Sequence, residues 1–449
     1  MKLQKQDMLL GLQFRKEYGM EYKMILTDEE KAILNGSKGE VMAKVMKSLV
    51  MYGEVFNAKR MVQITAPAHF VTSFGISIMK AVFDIMDELN NAGITTIDKF
   101  TVDPRPMDFN NVKCNPLEKL VFGIMYGKQD DYEEQLIKIG LKDKKAFSCT
   151  CYMDEVGNIP KKGDILSWAE SSAVVYANSV IGARCNRNSA LIEMFGAIMG
   201  KVPEFDLLTD EGRKATWIVD VKTSQKPEAQ VLGSAIGMKV MSDVPYIKGL
   251  DKFIGKKMNE KAKDYLKDMG AATASNGAVG LYHVENLTPE AIEKKESLIK
   301  EKAKVYIIDD AELERVKKNY PVIWKKHDAK PSRCFIGCPH LSYNQLIEWT
   351  DRIGKELDKN GKKKVSLETI FTAAPDVVEH FKKNSEYYNR LTSYGIKISS
   401  ICPLMYMNNP ICAKRAVLTN SNKLRTYTTA RYYTDEEITD IAVKGDITR

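Results

Sequence analysis

The chain has 449 residues, of which 44% are hydrophobic and 28% charged, and its formal net charge is +8. This composition excludes a disordered or fibrous protein. The longest weakly polar stretch, residues 171–183, is shorter than the ~18 apolar residues that a membrane span requires. The length predicts two or three domains. The charge indicates no particular partner, and because the lysine clusters contain few arginines and aromatic residues, we expect no contact with nucleic acid.

The N-terminal residues predict no secretion signal. They are basic, but Lys16, Glu17 and Glu21 interrupt the apolar core that a signal peptide would need. We therefore expect a cytoplasmic protein without a membrane partner, in which the eight cysteines are reduced. Cysteines in that setting are core residues, metal ligands or nucleophiles more often than disulfides.

The spacing of apolar and capping residues predicts an α/β protein with largely parallel sheets. Residues 1–28 are expected to form a charged arm, with a helix beginning at Thr27 or Asp28. The further predicted elements follow in chain order: strand 61–64, helix 76–90, strand 305–308, a helix from Asp310 to Tyr320, strand 334–336, a helix from Ser342 to about Gly361, strand 365–372, a helix from Asp376 to about Gly395, and strand 396–398. A segment rich in Gly, Ala and Ser, residues 270–280, predicts a boundary between regions 29–275 and 276–449.

Three cysteines share one position relative to the predicted strands. Cys149, Cys338 and Cys402 each follow a strand-like run at the point where a loop begins. Ligands bind at the carboxyl ends of parallel strands, and three thiolates would leave one iron of a cluster open to a substrate. The spacing matches no zinc-finger pattern, and from spacing alone three unrelated thiols are the more frequent outcome. Cys151 lies close enough to Cys149 to share its role.

A polar block interrupts the apolar sequence of residues 168–187. Glu170 and the two serines after it stand among alanines and valines, and burying each polar group without a partner would cost about 1–3 kcal/mol. Two interpretations stay open at this point, a hydrogen-bonded helix junction and a carboxylate-binding site. In the second, Arg184 or Arg187 would clamp the carboxylate with two parallel hydrogen bonds.

Two of the five histidines lie in predicted loops near these features. His69 follows strand 61–64, and His340 follows Cys338 so closely that chain connectivity alone places it near any metal there. The others are expected to be structural or exposed: His283, His327 and His380. The sequence contains no phosphate-binding loop, dinucleotide fingerprint, nucleophile elbow or zinc-protease motif.

Several runs of the sequence resemble those of the aconitase X family. They are residues 148–152, 157–160, 163–164, 168–174, 177–187, 277–283, 337–342 and 419–423. The block from Glu170 to Arg187 is the most specific, and the runs together span nearly the whole body of the chain. The resemblance implies an aconitase-like fold, with two or more α/β lobes around a central iron site. It also implies a hydro-lyase, since members of the family dehydrate cis-3-hydroxy-L-proline or mevalonate 5-phosphate.

The resemblance also implies a set of site residues. It places an iron centre on Cys149, Cys338 and Cys402, either a [4Fe–4S] or [2Fe–2S] cluster with an open iron or a mononuclear iron. The predicted catalytic residues are His69, Glu170, Ser171 and His340. The predicted substrate-binding residues are Ser73, Ser172, Asn178, Arg184, Asn186, Arg187 and Lys423. The base of the superfamily is a serine on a small swivelling domain, and too few residues follow Lys423 to form one, so we expect a large subunit with a separate small subunit.

The sequence favours conversion of cis-3-hydroxy-L-proline to a pyrroline-2-carboxylate. Mevalonate 5-phosphate requires cations at its phosphate end, and no cluster of lysines and arginines stands near the candidate loops, whereas hydroxyproline carries a single carboxylate. The alternatives are a mevalonate 5-phosphate dehydratase and, in another class, a non-catalytic iron–sulfur sensor.

Overall fold

The structure is a computed structural model that describes residues 22–71, 79–326 and 328–447. Residues 1–21 of the predicted arm lie outside these ranges. Ser73 and His327 also lie outside them. Among the helices that are described, none is both long and apolar enough to cross a bilayer.

The first region, residues 22–214, combines helices with short strands. Thr27 accepts a hydrogen bond from the Glu30 N–H and its own N–H donates to the Glu30 carboxylate, so a capping box begins the first helix where it is predicted. The helices are Asp28–Leu34 (α1), Glu40–Val55 (α2), Lys80–Asn91 (α3), Pro116–Tyr126 (α4), Gln129–Ile139 (α5), Ser171–Tyr176 (α6) and Ala190–Met199 (α7). The strands are Met61–Gln63 (β1), His69–Phe70 (β2), Thr101–Val102 (β3) and Lys201–Pro203 (β4).

Parallel pairing aligns several short segments of the first region. Strands β2 and β3 are parallel, and single parallel bridges add Trp168 beside β2 and Phe147 beside β3. Parallel segments end at the same edge of a sheet. Asp103, Cys149 and Glu170 each follow one of these segments, and they therefore emerge at one edge.

The second region, residues 215–318, contains a parallel four-stranded sheet. Its strands are Ala215–Val221 (β5), Pro245–Lys248 (β6), His283–Val284 (β7) and Ile299–Ile308 (β8). Its helices are Ala229–Val240 (α8), Asp251–Ile254 (α9), Glu260–Asn276 (α10), Pro289–Lys294 (α11) and Asp310–Lys318 (α12). The strand order is β7-β6-β5-β8, and each neighbouring pair is parallel. The predicted strand 305–308 is the end of β8.

Close helix packing accounts for the small residues of the segment 270–280. Helices α8 and α10 contact each other so closely that a Cβ on Gly233 would lie 2.2 Å from the Met269 carbonyl oxygen. A Cβ on Gly270 would likewise lie 3.1 Å from Val175, on α6. The first half of the segment thus belongs to α10, and the boundary at residue 275 stays a prediction.

The third region, residues 333–447, is a five-stranded parallel sheet with helices. Its strands are Arg333–Leu341 (β9), Thr369–Ala373 (β10), Lys397–Ser399 (β11), Val417–Thr419 (β12) and Arg431–Tyr432 (β13). Its helices are Tyr343–Lys359 (α13), Pro375–Lys383 (α14), Ser385–Ser393 (α15), Pro403–Met407 (α16), Asn422–Tyr427 (α17) and Asp435–Lys444 (α18). The strand order is β11-β10-β9-β12-β13, all parallel. The predicted α/β class with largely parallel sheets is confirmed.

Local boundaries differ from the sequence-based predictions at two places. The helix expected from Asp376 to Gly395 is two helices, because the Asn384 side chain accepts a hydrogen bond from the Tyr387 N–H and caps a new one. Cys338 lies inside β9 rather than after a strand. The capping box at Ser342 begins α13 as predicted.

The first and third regions meet where their sheets end. Arg105, just after β3, forms a parallel bridge with Ile401, just after β11. The Cys402 N–H donates a hydrogen bond to the Arg105 carbonyl over 2.8 Å. This junction brings the carboxyl edges of two parallel sheets to one place, which is where ligands bind in α/β proteins.

Candidate active site

A cavity of about 400 Å³ lies between these two sheet edges. The first region contributes Asp103, Cys149, Glu170 and Ser171 to its lining, and the third region contributes Cys338, His340, Cys402 and Lys423. Most of the predicted site residues near Glu170 and all three predicted cysteines are therefore brought together by the fold, although they are far apart in sequence.

The three cysteines reach the cavity through different local structures. Cys149 follows the single bridge at Phe147, Cys338 follows Gly337 inside β9, and Cys402 directly precedes the first residue of α16. Gly337 has φ +110°, and a Cβ there would lie 2.4 Å from a carbonyl oxygen of the next strand. Only glycine fits at this point, so the backbone turn that presents Cys338 depends on it.

The three cavity thiols are buried, and one cation lies beside them. All three are free, and burial raises the pKa of each thiol, that of Cys402 to about 12. The Lys423 ammonium opposes this shift at all three. Iron binds the thiolate forms, and Lys423 is the cation that partly offsets the effect of burial on the three thiols. This donor set fits an iron centre.

Cys151 does not share the cavity. Its side chain is completely buried in the hydrophobic core that joins the second and third regions. Its burial in this core, rather than on the cavity wall, separates Cys151 from Cys149. Cys185 is also buried, where its thiol donates to the Trp168 carbonyl over 3.4 Å.

Glu170 and Lys423 form a buried ion pair at the cavity. The Glu170 carboxylate also accepts hydrogen bonds from the Ala173 N–H at 2.6 Å and from the Ser172 hydroxyl at 2.8 Å, and so caps α6. Burial alone would raise the pKa of Glu170, but Lys423 and these hydrogen bonds hold it well below its usual range. Burial likewise opposes the charge of Lys423, and the carboxylate nevertheless raises its pKa. Both groups are charged at neutral pH.

Asp103 is a cavity residue that the sequence did not identify. Burial, and then the Glu170 carboxylate, raise its pKa well above its usual range. Its Oδ1 lies 3.7 Å from Nε2 of His69, and neither buried atom has a hydrogen-bond partner among the described residues. The feature that could have identified Asp103 is its position directly after β3, at the same sheet edge as Cys149.

His69 lies behind Asp103 rather than on the cavity wall. It is fully buried, and its Nδ1 lies 2.9 Å from the Thr101 hydroxyl. Burial lowers the pKa of His69 to about 4, so the ring is neutral. It can act on a ligand in the cavity only through Asp103.

His340 uses both of its ring nitrogens within the protein. Nε2 lies 3.0 Å from the Ile401 carbonyl and Nδ1 lies 3.3 Å from the Ser148 hydroxyl. Burial lowers the pKa of His340 to about 4. The neutral ring is thus engaged on both sides.

Two predicted substrate-binding residues have structural partners instead. Asn178 donates to the Cys185 and Gly280 carbonyls and accepts from the Cys185 N–H and from Arg213. Asn186 likewise donates to the Phe205 carbonyl and accepts from the Leu207 N–H. The contacts of Asn178 favour the first of the two interpretations of the polar block, a hydrogen-bonded helix junction, over a binding site.

The two candidate clamp arginines differ in their partners. Arg184 is paired with Asp210 and donates to the Leu208 carbonyl, so its charge is neutralised. Arg187 donates to the Ala274 carbonyl at 3.2 Å, and no carboxylate of the described residues lies within 4 Å of it. Arg187 lines a second cleft of about 550 Å³. Its charge is close enough to Glu170 to interact with it.

Comparison with known proteins assigns this fold and cavity to one class. The fold is aconitase-like, and models of the aconitase X first, second and third domains match residues 23–211, 215–318 and 333–442. The chain belongs to the aconitase X family. The predicted resemblance is thereby confirmed.

Relatives with assigned names are dehydratases. The phosphomevalonate dehydratase large subunit of Thermococcus kodakarensis is 32% identical over 90% of this chain and 95% of its own length. That of Methanosarcina mazei is 30% identical over 90% and 92%. The cis-3-hydroxy-L-proline dehydratase of Hypocrea jecorina is 23% identical over 90% of this chain and 65% of its own length. The crystal structure of Thermococcus kodakaraensis aconitase X in its holo-form superimposes with a TM-score of 0.77 at 30% identity, covering 93% of this chain and all of that one.

These findings confirm the predicted enzyme class, a hydro-lyase of the aconitase X type. The names of the archaeal relatives, which are large subunits, imply a small-subunit partner.

The buried ion pair leads to a stability prediction. Lys423→Met leaves the Glu170 carboxylate buried without its cation, which we expect to lower the free energy of unfolding by about 3–5 kcal/mol at pH 7. The double variant Lys423→Met/Glu170→Gln removes both charges and should recover most of that loss. Urea denaturation measures both.

The matched control is Lys162→Met, which removes an exposed ion pair with Glu293 and should cost less than about 1 kcal/mol. Because the pKa of Glu170 is depressed below 4.5, the stabilisation by the pair is complete above pH 4.5 and is lost as the pH falls further. A double variant no more stable than Lys423→Met would contradict the assignment.

Proposed function

We propose that this chain is the large subunit of a mevalonate 5-phosphate dehydratase. The relatives named phosphomevalonate dehydratase large subunit are 30% and 32% identical over 90% of the chain, whereas the hydroxyproline enzyme of similar coverage is 23% identical. They support the alternative stated from the sequence over cis-3-hydroxy-L-proline.

The unpaired charge of Arg187 is the structural observation that carries this proposal. The sequence argument against a phosphate was the lack of a local cluster of cations. The fold supplies cations from distant positions instead: Lys423, paired with Glu170, lies at the cavity, and Arg187 lines the second cleft, close enough to Glu170 to interact with it. Arg187 has a guanidinium group without a carboxylate partner among the described residues, and such a group suits a phosphate or carboxylate bound through two hydrogen bonds.

The proposed iron centre is a cluster on Cys149, Cys338 and Cys402. Among the described residues, no three Cys, His, Asp or Glu side chains converge closely enough to hold a single metal ion. The three thiols nevertheless line one cavity of about 400 Å³. We propose that these three thiols hold a cluster. When bound, the cluster would supply an open iron as the Lewis acid for a departing hydroxyl group.

The other cavity residues are proposed to manage charge and protons. Dehydration removes a proton from the carbon beside the substrate carboxylate and expels hydroxide from the next carbon. Asp103, whose pKa is raised by burial and then by the Glu170 carboxylate, is proposed to give a proton to the leaving oxygen, and His69, 3.7 Å away, is proposed to orient it. Lys423 offsets negative charge in the cavity, and Arg187 is proposed to bind the phosphate.

The base is proposed to come from a partner. Ser171 lines the cavity, but its hydroxyl lies 3.5 Å from a Glu170 carboxylate that Lys423 and Ser172 already engage. We propose that a serine of a small swivelling-domain subunit removes the substrate proton, in line with the large-subunit names of the relatives. A cytoplasmic location is part of the same proposal.

The substrate assignment predicts a clear preference. The chain, co-produced without oxygen with the small subunit from the same genome, should dehydrate mevalonate 5-phosphate with a kcat/KM at least about 100-fold above that for cis-3-hydroxy-L-proline. The reason is that two charged hydrogen bonds to phosphate contribute about 1.5–3 kcal/mol each. Preference for hydroxyproline would overturn the substrate, and an iron-loaded complex inactive on both would favour the sensor. The chain alone should be inactive.

The role of Arg187 predicts a specific kinetic defect. Arg187→Gln should raise the KM for mevalonate 5-phosphate about 10- to 100-fold with a smaller change in kcat, because the lost contact binds the phosphate rather than the reacting atoms. The control is Arg60→Gln, which removes a surface contact with Glu204. An equal KM increase in Arg184→Gln, with none in Arg187→Gln, would identify the other arginine as the clamp.

The cluster assignment predicts loss of iron from a single variant. Cys338→Ser should retain less than about a tenth of the iron of the native protein after anaerobic reconstitution with ferrous iron and sulfide, because a serine hydroxyl is a poor ligand for iron. Cys334→Ala, in the same strand but buried in the core, is the control. Iron and acid-labile sulfide assays measure both variants. An iron content in Cys338→Ser equal to that of the native protein would contradict the proposed three-cysteine site.

A further inference from the structure

His340 contacts all three cysteine-bearing segments through different atoms. It is joined by the backbone to Cys338 through one proline, and its own N–H donates to the Cys149 Sγ over 3.4 Å. Its ring Nε2 lies 3.0 Å from the carbonyl oxygen of Ile401, the residue before Cys402. Its Nδ1 lies 3.3 Å from the hydroxyl of Ser148, the residue before Cys149.

The partners of the ring determine its tautomer. A carbonyl oxygen only accepts hydrogen bonds, so Nε2 must carry the proton that is donated to Ile401. Nδ1 then has a free lone pair, and the Ser148 hydroxyl donates to it. The ring is 1% exposed, so water does not compete for either contact. One neutral imidazole thus holds two neighbouring segments at once, as donor to one and acceptor from the other.

The backbone of His340 is fixed from the second region. Lys267, on α10, donates from its buried ammonium to the His340 carbonyl over 2.9 Å. The same ammonium donates to Gln345, on α13. The histidine is therefore anchored to an element outside the two sheet edges that it joins.

We propose that His340 is a positioning residue that fixes the mutual placement of the three thiols, rather than a donor of protons to the substrate. This inference rests on the proposed iron centre. It replaces the catalytic role that the sequence suggested for His340, because both ring nitrogens are engaged by protein groups. Outer-shell partners that orient metal ligands affect metal affinity about 10- to 100-fold.

Three variants test the two hydrogen bonds of the His340 ring separately. His340→Ala removes both ring hydrogen bonds, and His340→Gln can restore a donor toward Ile401. Ser148→Ala removes the donor to Nδ1 together with the contacts of the Ser148 hydroxyl to Thr150. We expect the reconstituted His340→Ala protein to release iron to a ferrous chelator about 10- to 100-fold faster than the native protein. Release from the other two should be intermediate. The ultraviolet–visible spectrum of the cluster and the iron content per chain are the companion measurements.

The matched control is His283→Gln. His283 is equally buried and its Nε2 lies 2.8 Å from the Arg213 carbonyl, on a strand away from the cavity. This variant should lose stability but release iron at the native rate. The melting temperatures of the metal-free proteins separate a general folding defect from a defect at the thiols.

The outcomes distinguish this inference from the function on which it rests. A native protein that takes up no iron and sulfide would overturn the proposed iron centre itself. A native protein that holds iron, with His340→Gln and Ser148→Ala both releasing it at the native rate, would overturn the positioning role even if His340→Ala fails to fold. If the His340 variants release iron at the native rate but lose one limb of the pH profile of kcat, His340 is a proton donor instead.

Discussion

The buried ion pair between Glu170 and Lys423 is the interaction on which the rest of the site depends. Glu170 ends a segment of the first region and caps α6, and Lys423 lies in the first turn of α17, after the central strands of the third region. Either charge alone would be unstable in the interior. Their pairing therefore requires both regions to be assembled. It also acts on the cavity groups, because burial and then the Glu170 carboxylate raise the pKa of Asp103, while the Lys423 ammonium opposes the rise that burial causes in the pKa of Cys338.

The fold makes this pairing possible by turning two parallel sheet edges toward each other. Parallel strands concentrate loops at their carboxyl ends, and the bridge between Arg105 and Ile401 joins two such edges directly. The result is a cavity with thiols from both sides and with its charged groups at the same edges. The hydrogen bonds of Asn178, in contrast, stabilise the polar block, and the residues of this block that line the cavity are those near its start, Glu170 and Ser171.

Much of this arrangement was predictable, since capping boxes at Thr27 and Ser342 and short apolar runs mark their elements locally. The shared cavity of the three cysteines followed from the rule for strand ends and from the family resemblance. Contacts between distant segments were not predictable. The sequence does not encode locally that Asp210 neutralises Arg184 while Arg187 keeps its charge, or that Asp103 faces the thiols. The composition of residues 270–280 does not distinguish a linker from tight helix packing, because both favour small residues.

The distribution of the three thiols along the chain has a consequence for biosynthesis. Cys149 belongs to the first region, while Cys338 and Cys402 belong to the third, with the whole second region between them. A ribosome releases these segments one after another, so Cys338 and Cys402 emerge only after most of the polypeptide has been made. Insertion of the proposed cluster would consequently be a late event that requires completed assembly of the first and third regions.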